Sequence, residues 1–281
     1  GGGNNKYSIP TDNGETNSDR TANNEDILIK KSGTDSATPA CKPHTKQNEC
    51  TGSCQTIGDY VKSRRTDRGM WHWYYPNILA YYRCINATIV VEVGAAFGGQ
   101  TQYMLKHGAD QLREYHVVDP FMAGYDRKDV MSRWMQKAAP GSSPADISID
   151  WYKSISLALG TNGEYFEEGM DPAGCRLRMH RLKSVEGAKL FVDHSVDVVF
   201  IDGLHTYEGV VDDINTWRDK VKPNGEGALI FNDYNMKKQF GGISKAVKEE
   251  ASRRGLTPFM IDRTNAVLGG KAGCAIRPVP F

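Results

Sequence analysis

The pattern of apolar and polar positions divides the chain into three stretches. From Gly1 to about Gly58 apolar residues are sparse, Tyr7 is the only aromatic, and Asn, Thr, Ser, Asp, Glu and Lys dominate. Such a segment cannot bury enough apolar surface to fold alone, so 1–58 reads as a polar arm, a tail or a wrapping segment. The stretch DYVKSRRTDRGMWHWYYPNILAYYRC then turns abruptly aromatic. Within it Tyr75, Ile78, Leu79 and Tyr82 recur at i, i+3, i+4 and i+7, the stripe of an amphipathic helix packed on a larger domain. Trp71, His72, Trp73 and Tyr74 precede the stripe and are candidates for lining a site.

From Ala87 onward short apolar runs alternate with helical patterns. TIVVEVGAAFGG is a buried strand running into a glycine-rich turn, TQYMLKHGADQL a helix, and EYHVVDPF a second strand. The segment 121–174 carries helical patterns at RKDVMSRWMQKAA and DWYKSISLAL; it is larger than the fold needs, as a lid would be. Strands follow at RLRMHRL, VDVVFID and GALIFNDY, with helices from about Val185 and from Gly209 to Lys220. The chain closes with the helix GISKAVKEEASRRG and two last strands, PFMIDRTNAVLG and GCAIRPV. This alternation predicts a doubly wound α/β fold, a mostly parallel sheet with helices on both faces. The expected domain is 59–281, with the aromatic lead-in (59–86) and the lid-like insertion (121–174) inside it. Ligands of such sheets bind beyond the carboxyl ends of the strands, where the notable polar residues fall.

Composition excludes more than it selects. With 39% hydrophobic and 25% charged residues and a formal net charge of +1, the 281-residue chain reads as an ordinary globular protein without the electrostatic footprint of a nucleic-acid partner. No apolar run approaches the roughly 20 residues that cross a bilayer. The opening GGGNNKYS has neither Met nor a signal-peptide pattern, as expected of a processed or partial chain. Cys41, Cys50 and Cys54 crowd the polar arm, while Cys84, Cys175 and Cys274 are scattered. No second pair accompanies Cys50 and Cys54 to make a zinc site. The expectation is a disulfide tying down the N-terminal segment, and with it a secretory lumen or the cell exterior, the cytoplasm being the alternative. Asn86-Ala87-Thr88 is a formal N-glycosylation sequence, though it abuts a buried strand.

The candidate chemistry sits at strand ends. VEVGAAFGG carries Gly94, Gly98 and Gly99, a G-x-x-x-G-G spacing that differs from the G-x-G-x-x-G of dinucleotide enzymes. Glycines there let backbone approach a ligand at a helix N-terminus. The next strand ends in Asp119, an acid placed to accept hydrogen bonds from a ribose diol. Together they predict a nucleoside-bearing cofactor without a pyrophosphate. In VVFIDGLHTYEG an apolar strand runs straight into Asp202, with His205 three residues on, and the following strand ends in Asn232-Asp233. Asp212 and Asp213 read as the solvated face of a helix, and His72, His107, His116, His180 and His194 show no partner spacing.

At these motifs the chain resembles class I S-adenosylmethionine-dependent methyltransferases. VVEVGAAFGG, VVD at Asp119, FIDGLHTYEGVVDDI and GALIFNDY carry the resemblance, which runs from about Asp59 to the C-terminus. More narrowly the chain is similar to the metal-dependent sugar O-methyltransferases of macrolide and aminocoumarin biosynthesis, grouped with cephalosporin hydroxylase-like proteins. The resemblance implies a Rossmann-like seven-stranded sheet of order 3-2-1-4-5-7-6 with the seventh strand antiparallel. It implies S-adenosyl-L-methionine as cofactor, and Mg²⁺ or another divalent cation held by Asp202, Asn232 and Asp233. His205 would be the general base, Glu92 and Asp119 would hold the cofactor, and Ser184 would contact its adenine. Asn232 stands where the sugar enzymes commonly have an acid, which removes one charge from the metal site. An amide oxygen still suits a hard cation. The reaction expected is O-methylation of a vicinal diol on a sugar or glycan-like polyol, free or polymer-bound, in a chain that is a possible homo-oligomer. A catechol or amine acceptor, or a cofactor-fold protein that binds without turnover, are the alternatives.

Overall fold

The aromatic stripe folds as helix α1 (Tyr75–Ile85), with Pro76 in its first turn where no N–H is needed. Its face buries Tyr75, Ile78, Leu79, Tyr81, Tyr82 and Ile85. Aliphatic side chains such as Ile78, Leu79 and Ile85 stabilise by about 1.5–3 kcal/mol each when taken fully out of water, so α1 is an integral layer of the domain. The computed structural model describes residues 73–123, 125, 136–160, 165–166 and 177–274, together with Thr56, Ile57, Asp59 and Arg133. The polar arm up to Gln55 and its expected disulfide lie outside the described residues, as does most of the helical pattern RKDVMSRWMQKAA.

After α1 come β1 (Ile89–Val93), α2 (Gly99–His107), β2 (Glu114–Val118), α3 (Pro144–Gly160), β3 (Tyr165–Phe166), β4 (Leu177–His180) and α4 (Ser184–Ala188). The second half holds β5 (Val198–Ile201), α5 (Tyr207–Trp217), β6 (Ala228–Phe231), α6 (Lys237–Arg253), β7 (Phe259–Met260) and β8 (Ala266–Gly269). One sheet takes the order β3-β4-β2-β1-β5-β6-β8-β7. Without β3 this is the expected 3-2-1-4-5-7-6 arrangement. The two residues of β3, inside the 121–174 segment, add an eighth strand beside β4. β8 runs antiparallel to β6, and β7 antiparallel to β8. Along β1 successive residues serve opposite layers, Val90 the core under α1, α2 and α3, and Val91 the core under α5 and α6. Alternation of this kind is what a strand covered on both faces requires.

The tail departs from the sequence expectation. PFMIDRTNAVLG makes two strands, because Asp262 Oδ1 collects the N–H groups of Thr264 and Asn265 (both 2.8 Å) and turns the chain between them. Of GCAIRPV, Gly273 and Cys274 belong to the 3₁₀ turn Ala272–Cys274, and the rest lies outside the described residues. Cys84 and Cys274, scattered in sequence, form a disulfide with a Cα–Cα distance of 5.7 Å that ties α1 to the chain's last described turn. No described helix is long and apolar enough to cross a membrane.

Candidate active site

Register sets the site. Val93 is paired with both Val118 and Ile201, and Ile201 with Phe231, so the carboxyl ends of β2, β1, β5 and β6 are level. The first residues beyond them, Asp119, Gly94, Asp202 and Asn232, therefore form a row, with neighbours about 4.8 Å apart across the sheet. Gly94 makes the row possible. A Cβ there would lie 2.2 Å from the Asp202 carbonyl oxygen, and its φ of +83° is one that only glycine adopts freely.

At one end of the row, Asp202, His205, Asn232 and Asp233 converge. His205 Nε2 lies 3.1 Å from Asp202 Oδ1 and 3.7 Å from Asp233 Oδ2. Asn232 Nδ2 donates to the same Asp202 oxygen at 2.9 Å. Asp233 adopts φ +54°, a left-handed backbone that Asp tolerates better than most residues and that aims its carboxylate back at His205. Burial, with Asp202 beside it, pushes the Asp233 carboxyl up to about 6. One ligand atom from each of Asp202, His205 and Asp233 falls within 4.8 Å of the others, the grouping of a candidate cation site.

The opposite end holds the residues that the sequence assigned to a cofactor. Asp119 is buried; its Oδ2 accepts from the N–H of Ala95 (2.8 Å) and Ala96 (3.3 Å), and its Oδ1 from that of Phe121 (2.7 Å). The carboxylate thus pins the glycine turn. Gly98, at φ +69°, is the N-cap of α2, and Gly99 is its first, buried residue. Trp151 of α3 donates from Nε1 to the Ala96 carbonyl (3.1 Å), which brings the insertion onto the same turn. Ser184 Oγ, at the start of α4, accepts from Trp217 Nε1 at 2.8 Å.

Glu92 is more deeply placed than a ligand-facing acid. It is 2% exposed, and its Oε2 accepts from Thr101 Oγ1 (2.6 Å) and Tyr115 OH (2.7 Å). Burial raises its carboxyl to about 8 against the help of those two donors. A carboxyl raised by folding contributes stability that is full below its unfolded pKa near 4.5 and is lost as pH rises through about 8. At about 1.4 kcal/mol per tenfold in proton affinity, this loss is at most about 5 kcal/mol. Glu92→Gln should therefore flatten the fall in stability between pH 5 and pH 9, followed by denaturant midpoints at each pH. Parallel pH profiles for the two proteins would assign that loss to other groups.

Two features escaped the sequence reading, and a third gained partners that the sequence did not indicate. Asp213, expected on a solvated helix face, is 5% exposed, because α5 turns it under the β5 carboxyl end, bonded to Ser184; burial raises its carboxyl to about 7. Asp212 alone keeps the solvated position. His116 and His180, without partner spacing in sequence, meet across β2 and β4 with Nδ1 and Nε2 3.1 Å apart, and burial holds His180 down at about 4. Tyr74 is buried, and burial together with the nearby Asp202 and Asp233 drives its hydroxyl far above the ordinary range. Its place before the aromatic stripe makes it a candidate for lining a site, but nothing in the sequence points to those acids.

A family model described as a methyltransferase domain matches residues 91–234, from mid-β1 to Tyr234. No curated protein matches the sequence. Among solved structures, the chain is similar to a putative caffeoyl-CoA O-methyltransferase from Staphylococcus aureus, at 11% identity over 78% of this chain and 93% of that one, TM-score 0.46. It is similar to an SAH-bound methyltransferase from Podospora anserina at 10% identity over 79% and 88%, TM-score 0.47. For an O-methyltransferase from Bacillus cereus in complex with SAH the values are 9% identity over 80% and 94%, TM-score 0.44.

Proposed function

The chain belongs to the methyltransferase-domain family, and from that premise we propose that it transfers a methyl group from S-adenosylmethionine to one hydroxyl of a vicinal diol on a sugar or glycan-like polyol. The observation that carries this reading is the convergence of His205 with Asp202 and Asp233, level with the glycine turn at Gly94. A proton acceptor is needed where the methyl acceptor lies, and the methyl donor beside it.

The residues fit a divalent cation. Asp202 and Asp233 supply carboxylate oxygens and Asn232 an amide oxygen, the hard donors such ions prefer. Asn232 is 4% exposed, and its Oδ1 is buried without a hydrogen-bond partner, an acceptor that a cation would satisfy. When bound, the cation would supply positive charge beside two neighbouring acceptor oxygens and ease loss of a hydroxyl proton. His205 takes that proton, since imidazole titrates near neutrality. The two carboxylates facing its Nε2 stabilise the imidazolium that results. The acceptor oxygen forms its bond to the methyl carbon as the carbon–sulfur bond breaks, leaving S-adenosylhomocysteine. Gly94, Gly98 and Gly99 keep the backbone close to the donor, Asp119 offers its carboxylate to the ribose, and Ser184 contacts the adenine. Glu92 acts from beneath, holding α2 to β1 through Thr101. On the acceptor side Tyr74 lies close to Asp202, and Trp73, 40% exposed, packs edge-on against it with centroids 5.8 Å apart. An exposed indole of this kind suits the apolar face of a sugar ring.

Calorimetric titration of S-adenosylhomocysteine into the protein, with Mg²⁺ and with EDTA, tests the reading. Micromolar binding is expected in both conditions, weakened about tenfold or more in Asp119→Ala, with diol methylation confined to the metal-replete sample. Absence of binding in both conditions would overturn the cofactor assignment. Undiminished diol methylation in EDTA would overturn the cation's role.

A further inference from the structure

We infer that Asn86 is an N-glycosylation site and that the protein accordingly matures in an oxidising secretory compartment. Asn86-Ala87-Thr88 is the only Asn-x-Ser/Thr sequence in the 281 residues, and none of the seven asparagines of the polar arm has Ser or Thr two positions on. The sequence alone set this motif against a buried strand. In the fold β1 begins only at Ile89, and Asn86 is exposed, closing α1 with φ +60° and donating its backbone N–H to the Arg83 carbonyl at 3.1 Å. Among the described residues, no side chain is hydrogen-bonded to its amide.

A second observation, independent of the motif, points to the same compartment. Cys84, two residues upstream, is joined to Cys274. Disulfides of this structural kind persist where thiols are not kept reduced, which in eukaryotic cells is also where N-glycans are added. The cap geometry would be met equally well by glycine, so the left-handed turn does not by itself call for an asparagine within a Thr-bearing triplet. Position matters as well. Asn86 precedes the amino end of β1, and five residues of strand carry the chain about 16 Å to the opposite edge, where Gly94 and Asp202 lie. A glycan here would cover the disulfide edge of the domain and leave the carboxyl ends of the strands clear.

In the chemistry required, the Asn86 amide nitrogen attacks the anomeric carbon of an oligosaccharide activated as a lipid-linked diphosphate. The N–C glycosidic bond forms as the C–O bond to the diphosphate breaks. The lipid diphosphate departs with the bonding pair, and the amide proton passes to a base of the transferring enzyme. The inference is independent of which acceptor the protein methylates.

The test is made on the full chain isolated from its own source cells. Treatment with a glycosidase that cleaves at asparagine should remove a mobility shift and mark Asn86 in peptide mass spectra. Asn86→Asp, which keeps a residue tolerant of the left-handed turn, should lose the shift completely and keep its methyl-transfer rate within about twofold. Alkylation should leave Cys84 and Cys274 unmodified before reduction and label both after it. An unmodified Asn86 in the native protein overturns the site, as does a shift that survives in Asn86→Asp. Free thiols at Cys84 and Cys274 overturn the compartment with it.

Discussion

Replacing His205 by alanine is expected to lower the rate of methyl transfer by about 10²–10⁴-fold, the usual contribution of a positioned general base. The affinity for S-adenosylhomocysteine should stay within about twofold. His205 stands with Asp202 and Asp233 at the end of the row away from Asp119, so its loss removes the proposed proton acceptor without touching the residues proposed to hold the nucleoside. The separation of the two effects is the informative part. Single-turnover rates with saturating cofactor give the first quantity and calorimetry the second. A variant with full activity would show that the proton leaves by another route. One that loses cofactor affinity in equal measure would place His205 on the donor side. Raising the pH should restore part of the lost rate, because a more basic medium makes the acceptor less dependent on an internal base.

Gly94→Ala should be the most damaging single-methyl change in the described fold, destabilising it by about 3 kcal/mol or more. Two terms add. A left-handed backbone costs an alanine about 1–2 kcal/mol. The new Cβ would also meet the Asp202 carbonyl oxygen at 2.2 Å and its carbon at 2.7 Å, and these are backbone atoms that cannot rotate away. Relief requires β1 and β5 to part at their carboxyl ends, where Asp202 N–H donates to the Val93 carbonyl at 2.8 Å. Denaturant midpoints measure the stability loss, and cofactor titration of whatever remains folded should show binding gone. An unchanged midpoint would mean that the strand ends separate freely and that the close approach is not needed for the fold. Gly141 makes a control, since a Cβ there meets nothing within 4 Å and only the backbone term, from its φ of +86°, applies.

What the sequence by itself determined was local and periodic. The 3.6-residue stripe of Tyr75, Ile78, Leu79 and Tyr82 specified α1, and buried runs such as IVVEV and VVFI specified strands, because side-chain direction repeats with the backbone geometry. The placing of Gly94, Asp119, Asp202 and Asn232 at strand ends was equally legible, since a strand ends where the apolar run meets a polar residue. Only the tertiary structure decided what depends on residues far apart in the chain. The burial of Asp213 follows from α5 packing beneath β5 and against Ser184 of α4. The hairpin of β7 and β8 follows from the Asp262 turn, which a continuous apolar pattern concealed. The His116–His180 pair, the Cys84–Cys274 link and the approach of Tyr74 to Asp202 each join segments at least 64 positions apart. Periodicity specifies which face a side chain takes, but its neighbour across a sheet is set by strand order and register, which arise only when the whole core closes.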